Sequence, residues 1–153
     1  MEFDAVDRRI LEILLHDGRA SHASVAKAVG LSAPAVGERV KKLEQAGVIR
    51  GYHAEIDPQA VGLVITAFVA IAPQPRKPAQ KLVERLMEFS EIEELHAVAG
   101  TYSFIVKVRV PSTAALDAFL DRLFTTEGVE RTETTMVLRT SLERPTALPF
   151  AAR

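Results

Sequence analysis

The sequence predicts an α+β chain in which three short helices are followed by a separate sheet domain of order βαββαβ. Up to about residue 50, apolar residues recur at the three- and four-residue spacing of helices, with glycines between the runs. Beyond residue 63 the apolar residues fall in short runs typical of strands, separated by two helical patterns. We therefore expect a helical domain at 1–53, a linker at 54–63, a sheet domain at 64–144 and a C-terminal tail at 145–153.

Capping residues delimit the first two helices. Asp4 is a good N-cap, and the apolar residues that follow it at helical spacing stop at Asp17 and Gly18. Ser21 is placed to begin a second, shorter helix, and Gly30 provides the left-handed position that ends it. Two short helices are thus predicted before residue 31.

A third helix follows directly. Ser32 can cap it, and Pro34 falls in the first turn, where a missing N–H costs nothing. Its apolar stripe consists of Val36, Val40 and Leu43. A short helix, a turn with a glycine and a longer helix form the helix-turn-helix arrangement, which is typical of DNA-binding proteins.

The chain after the third helix predicts a rudimentary wing and then a hinge. Val48, Ile49 and Tyr52 indicate an extended segment that returns toward the helices. Pro58 and Gly62 interrupt any regular element in the segment that follows, so we place the hinge there.

The outward face of the third helix decides whether these helices bind DNA, because many helical trios with glycine punctuation do not. Its first part is small enough to enter a major groove, and Arg39 and Lys42 lie within reach of phosphates one turn later. Alanine offers no hydrogen bond to a base, so we expect modest sequence specificity. The predicted DNA-binding residues are Ser32, Ala33, Ala35, Glu38, Arg39, Lys42, Gln45 and Arg50.

Net charge adds little to this interpretation. The whole chain carries a formal charge of −1. Residues 1–53 hold eight Lys and Arg against seven Asp and Glu, and residues 54–153 hold eleven against thirteen. Acids cluster early in the helical domain and bases later, so a basic surface near the third helix is compatible with the sequence.

The sheet domain is predicted to be ferredoxin-like, with an antiparallel sheet and both helices on one face. Its strands are expected at 64–72, 92–99, 102–110 and 129–142, and its helices at 77–90 and 112–126. Phe68 and Ala70 alternate with Val69 and Ile71, so the first strand is apolar on both faces. Two helices cover only one face, which favours a dimer formed through the other. The alternative is that the N-terminal helices cover it.

Several segments match a known family in order and spacing. The chain resembles the Lrp/AsnC (leucine- and asparagine-responsive, feast–famine) transcription regulators at residues 7–11, 17–19, 30–32, 39–44, 47–52, 57–58 and 61–62. The resemblance implies a helix-turn-helix domain on double-stranded DNA and an ACT-like (RAM) regulator domain. It further implies dimers, commonly assembled into octamers, and an amino acid or similar metabolite bound between regulator domains.

The effector turn departs from the family pattern. Members that bind amino acids tend to have a Gly-x-Tyr-Asp turn between the second and third strands, and here Ser103 stands at the aspartate position. A serine offers an ammonium group only a neutral hydrogen bond, so another metabolite, or no effector, stays open. The alternative reading of the turn is purely structural. The candidate effector residues are Gly100, Thr101, Tyr102, Ser103, Thr132 and Thr134.

Two other classes of protein compete with a regulator. An enzyme is disfavoured because the four histidines are scattered and no metal-ligand spacing, phosphate loop or Gly-x-Ser-x-Gly elbow occurs. His96, near the turn, keeps open a decarboxylase of similar fold. An architectural protein that coats DNA without an effector is the second alternative, although its need for a basic surface disagrees with the charge. We predict no catalytic residue, metal or cofactor.

Composition also bears on location. The absence of cysteine excludes disulfides, thiol catalysis and cysteine-ligated metals. No apolar run approaches the roughly 18 residues of a membrane span, and the acidic N-terminus is unlike a signal peptide. We expect a cytoplasmic protein that does not enter membranes.

Overall fold

The computed structural model describes residues 3–144, so the predicted tail at 145–153 lies outside the described residues. The described chain divides into two compact units. The first contains the residues up to Glu55, and the second spans Ile56–Ser141.

Three helices build the first unit: α1 (Ala5–His16), α2 (His22–Val29) and α3 (Ala33–Gln45). In each, a side-chain oxygen of the residue before the helix accepts a hydrogen bond from a backbone N–H of the first turn, as predicted for Asp4, Ser21 and Ser32. The three helices pack on a common core whose buried residues are Ile10, Leu11, Val25, Ala26, Val36, Val40 and Leu43. The predicted trio is confirmed.

The turn between α2 and α3 depends on Gly30. This residue has φ 71°, in the left-handed region that suits glycine. Its backbone N–H donates to the carbonyl of Ala26, and the N–H of Leu31 donates to the same oxygen at 3.1 Å. The end of α2 is thereby closed and the chain is redirected into α3.

The segment predicted as a rudimentary wing follows α3 directly. Residues 46–64 contain no strand, and the N–H groups of Val48 and Ile49 instead donate to the carbonyl of Leu43 at 2.9 and 3.2 Å. These bonds satisfy an orphan carbonyl at the end of α3. The segment is therefore a helix-terminal turn.

The second unit has the predicted order βαββαβ. Its four strands form an antiparallel sheet in the order β2-β3-β1-β4. The elements are β1 (Ile65–Pro73), α4 (Ala79–Leu86), β2 (Ile92–Ala97), β3 (Phe104–Val110), α5 (Thr113–Thr125) and β4 (Val129–Met136). The ferredoxin-like fold class is confirmed.

Strand β4 and helix α4 fall furthest short of their predicted ranges, and the other elements of this unit differ from theirs by one or two residues at an end. Strand β4 ends at Met136, which pairs with Ala67, and the N–H of Val137 makes a further bond to Thr66. Since β1 begins at Ile65, the chain beyond has hardly any partner strand left to pair with. Helix α4 starts only after Pro78 and ends at Leu86, within the predicted range 77–90.

The two faces of the sheet differ in character. Toward the helices, Val69 and Ile71 of β1 are fully buried with Leu82 of α4 and Phe119 of α5. On the opposite face, which we call the open face, Phe68 is 41% exposed. The open face also carries Ile105, Lys107 and Arg109 of β3, because they alternate with the buried residues of that strand. It is therefore a mixed surface, apolar along β1 and charged along β3.

Gly30→Ala is expected to lower the free energy of unfolding by about 1 kcal/mol, because a side chain strains the left-handed backbone. Asn tolerates this conformation better, so Gly30→Asn should lose less. Urea unfolding of the full chain, followed by circular dichroism, measures both. An alanine variant as stable as the wild type would contradict the role assigned to Gly30.

Candidate nucleic-acid interface and effector turn

One row of exposed side chains runs along α3. Pro34, Glu38, Lys41 and Gln45 follow one another at three- and four-residue spacing, and all are exposed. Lys42 is exposed beside them. We call these five residues the α3 row. It lies opposite the buried residues of α3, which makes it the part of the helix that is open to a partner.

Helix α2 approaches α3 closely beside this row. A methyl carbon built at Gly37 would lie 3.1 Å from Nδ1 of His22, tighter than most real contacts. The absence of a side chain at position 37 therefore leaves room on α3 for the imidazole of His22. Close packing of this kind is what the helix-turn-helix needs to present its second helix.

Arg39 does not belong to the α3 row. Its Nη1 lies 2.8 Å from Oδ2 of Asp4 and 2.7 Å from Oδ1 of Asp7, at the start of α1. The hydrogen bonds to Asp7 and Asp4 raise the pKa of the Arg39 guanidinium. The N–H of Asp7 and the side chain of Arg39 lower the pKa of Asp4. The side chain predicted to reach DNA thus faces α1.

The other predicted DNA-binding residues occupy different places. Ser32 uses its hydroxyl oxygen to accept from the N–H of Ala35 at 3.3 Å, and Ala33 and Ala35 are half-buried. Glu38, Lys42, Gln45 and Arg50 are exposed. Of these, Glu38, Lys42 and Gln45 belong to the α3 row.

The sequence-based set omitted Lys41. This residue lies three positions after Glu38 and four before Gln45, so helical spacing alone places it between them. Helical periodicity is therefore the sequence signal from which Lys41 could have been included.

Arg50 lies instead on a groove of about 500 Å³ in the same unit. The groove is lined by Leu11, Leu14, Leu15, Val48, Ile49, Arg50, Gly51, Tyr52 and His53. Beside it the hydroxyl of Tyr52 donates to Glu44 of α3 at 3.0 Å. Burial and this bond raise the pKa of Tyr52. Arg50 thus lines this groove together with residues of α1.

In the second unit, the turn between β2 and β3 is held by backbone bonds. The N–H of Val98 donates to the carbonyl of Ser103 at 2.9 Å, and the N–H of Ser103 donates to Ile71 of β1 at 3.1 Å. Gly100 and Thr101 are exposed, and nothing lies within 4 Å of a methyl carbon built at Gly100. The tip of the turn is therefore accessible, whereas the amide of Ser103 is already engaged.

Tyr102 connects the turn to β4. Its hydroxyl donates to Oε2 of Glu133 at 2.7 Å, which raises the pKa of Tyr102. The guanidinium carbon of Arg131 lies 4.9 Å from the centre of the Tyr102 ring. Sequence analysis chose the neighbouring threonines of this strand instead, because only the register of the sheet shows which of its residues face the turn.

Thr132 and Thr134 alternate with these charged residues along β4. They pair with Ile71 and Val69, whose side chains face the helices. Glu133 pairs with Ala70 and so belongs to the open face. The structure therefore brings Glu133 to Tyr102, and it places the two threonines on the other side of the sheet.

The described residues hold no group of three or more His, Asp or Glu that is arranged to bind a metal ion. Nε2 of His96 lies 3.0 Å from the carboxylate of Glu94. The hydrogen bonds from His96 and Lys107 lower the pKa of Glu94.

No helix within residues 3–144 is long and apolar enough to cross a membrane.

Comparison with known proteins finds a matching domain family for each of the two units. Residues 3–44 match the AsnC-type helix-turn-helix domain, and residues 66–147 match the Lrp/AsnC ligand binding domain. The transcriptional regulator FL11 of Pyrococcus abyssi is 38% identical over 150 residues, which is 98% of each chain. LrpA of Mycobacterium tuberculosis is 42% identical over 137 residues, 90% of this chain and 91% of the relative.

Solved structures of related regulators also match this chain over nearly its whole length. A feast or famine regulatory protein from M. tuberculosis, complexed with L-methionine, superposes with a TM-score of 0.91 at 41% identity, covering 97% of this chain and all of the other. AsnC of E. coli superposes with a TM-score of 0.89 at 30% identity over 95% of this chain and 99% of the other.

A helix-turn-helix with an exposed, lysine-bearing second helix is typical of DNA-binding proteins, and the matched families and relatives are transcription regulators rather than enzymes. With both domain models matched and relatives aligned over nearly their whole length, the chain belongs to the Lrp/AsnC family of transcriptional regulators.

Proposed function

We propose that this regulator binds promoter DNA through the α3 row, acts as a dimer joined by the open face of its sheet, and responds to an amino acid at the β2–β3 turn. The observation that carries the proposal is the α3 row itself, which is exposed on a well-capped helix of a helix-turn-helix. A role on chromosomal DNA places the protein in the cytoplasm.

The side chains of the α3 row are suited to two kinds of contact, with phosphates and with base edges. Lys41 and Lys42 supply positive charge for phosphates. Gln45 suits the hydrogen-bonding edge of adenine, and Glu38 can accept from the amino group of cytosine. Only two side chains then read base edges directly, and Ala33 and Ala35 at the start of the helix add apolar contact for thymine methyls. Modest sequence specificity follows.

Lys42→Gln is expected to weaken DNA binding and to reduce the slope of log K against log[salt] by about 0.9 for each protomer on the DNA. Titration of a promoter fragment at several salt concentrations measures the slope. Lys81→Gln removes the same charge from α4, outside the first unit, and should leave the slope unchanged. Equal slopes for all three proteins would contradict contact between α3 and phosphates.

The dimer is proposed from the open face. Phe68 lies on the inner strand β1, exposed although apolar, with Lys107 and Arg109 on the neighbouring strand. Glu93 lies 3.1 Å from Arg109 and 3.7 Å from Lys107, so acids offset these cations at the edge of the face. A second copy would bury the aromatic side chain, and the family resemblance supports further assembly of dimers into octamers.

Phe68→Glu should dissociate the dimer, because it would bury a carboxylate against its own symmetry mate. Light scattering at micromolar concentration gives the mass. Met87→Glu, at a residue 72% exposed at the end of α4, is the matched control and should leave the mass unchanged. A wild-type protein that is monomeric under these conditions would rule out the proposed dimer.

The effector proposal starts from the relative that binds L-methionine. The exposed backbone of Gly100 and Thr101 is suited to hold a carboxylate. At the position where related regulators tend to carry aspartate, Ser103 has no charge for the ammonium group. Glu133, joined to the same turn through Tyr102 at 2.7 Å, supplies a carboxylate nearby. We therefore assign the ammonium group to Glu133.

A thermal-shift screen against the amino acids tests this assignment. We expect at least one amino acid to stabilise the wild type, and Glu133→Gln to abolish that shift. Glu130→Gln, an exposed residue of the same strand, should leave it intact. Stabilisation that appears only in Ser103→Asp would mean that Glu133 does not replace the aspartate.

A further inference from the structure

We infer that Arg39 is a positioning residue for DNA binding: it fixes α3 against the start of α1 through Asp4 and Asp7 and does not itself contact DNA. The inference rests on the proposed function, in which the α3 row enters the major groove. It changes the role that the sequence suggested for the most prominent base of this helix.

The three side chains form a closed cluster in which each carboxylate oxygen has one task. Oδ1 of Asp4 accepts from the N–H of Asp7 at 2.7 Å, and Oδ2 of Asp7 accepts from the N–H of Asp4 at 3.3 Å. These two bonds are the capping box of α1. The remaining oxygens, Oδ2 of Asp4 and Oδ1 of Asp7, both accept from Nη1 of Arg39. Arg39 is thus part of the N-terminal cap of α1.

Charge and burial keep Arg39 in this cluster. Asp7 is the buried charged residue among those described, with a side chain only 12% exposed. If Arg39 turned to a phosphate, Asp7 would keep its negative charge with its cation gone, which is costly at a buried site. Two carboxylates facing one guanidinium also leave no net positive charge to attract a phosphate.

Better phosphate ligands lie next to it. Lys41 and Lys42 are exposed, and within residues 3–144 neither makes an ion pair. A phosphate reaches them without breaking an existing contact. The positive charge needed for DNA is therefore already supplied from the α3 row.

The position of Arg39 in α3 explains why the cluster matters for binding. Arg39 lies in the middle of the helix, directly after Glu38 and one turn before Lys42. The cluster therefore fixes the rotation of α3 about its own axis at the level of the α3 row. Without it, the buried stripe alone would set the angle at which Glu38, Lys41 and Gln45 face the groove.

The salt dependence of DNA binding separates positioning from contact. Arg39→Gln should weaken binding several-fold and leave the slope of log K against log[salt] unchanged, because no phosphate contact is lost. A contacting arginine would reduce the slope by about 0.9 for each protomer on the DNA. Lys42→Gln, measured in the same assay, shows how far the slope falls when a phosphate contact is lost.

Asp7→Asn provides the opposite test, since it keeps Arg39 and its charge. We expect it to weaken binding as Arg39→Gln does, and the double variant to be no weaker than either single one, because all three break the same cluster. A DNA-contacting Arg39 would instead be released by Asp7→Asn, and affinity would stay equal or rise. Arg39→Lys keeps a cation for the two acids and should retain more affinity than Arg39→Gln, at the wild-type slope.

The outcomes are distinguishable. Circular dichroism at the assay temperature checks that each variant is folded. If Arg39→Gln does not fold, the comparison of Arg39→Lys with Asp7→Asn tests the inference in its place. A reduced slope in Arg39→Gln, together with undiminished affinity in Asp7→Asn, would overturn the inference and leave the proposed function intact. Wild-type binding with no response to Lys42→Gln would instead overturn the proposed function.

Discussion

The orientation of α3 depends on the ion-pair cluster of Arg39, Asp4 and Asp7, because the apolar core beneath it is small. Seven buried residues from three short helices form that core. A core of this size leaves little to fix one helix against another, and polar caps supply part of what burial does not. In this cluster the cap of α1 and the anchor of α3 are the same group of atoms. The charged residues of the helical unit therefore include some that hold α3 in place, and others, such as Lys41 and Lys42, that are exposed for the proposed contact with DNA.

In the second unit the corresponding constraint is the one-sided cover of the sheet. Helices α4 and α5 bury β1 and β3 on one face, while Phe68 and the cations of β3 remain on the other. The same register that exposes Phe68 places Glu133 on the open face and brings it to Tyr102. The proposed dimer surface and the proposed effector turn are consequently parts of one face, so a ligand bound at that turn would lie near the proposed contact between protomers.

The sequence predicted the helices, the strand order and the caps, because these depend on local periodicity and on capping chemistry at Asp4, Ser21 and Ser32. It overestimated β4, whose end is set by where its partner β1 begins. It did not predict the pairing of Arg39 with Asp4 and Asp7, since spacing alone does not show that two acids about thirty residues earlier lie beside it. Glu133 was missed for the same reason: its link to Tyr102 spans 31 positions and exists only in the fold.

The most direct test of the account is nuclear magnetic resonance during titration with a promoter duplex. The backbone signals of Glu38, Lys41, Lys42 and Gln45 should shift on binding, while the side-chain Nη1–H signal of Arg39 should keep its position and its protection from exchange. That result would show DNA on the α3 row and Arg39 still held by Asp4 and Asp7. A large shift of the Arg39 signal, with release of the Asp7 carboxylate, would contradict the account.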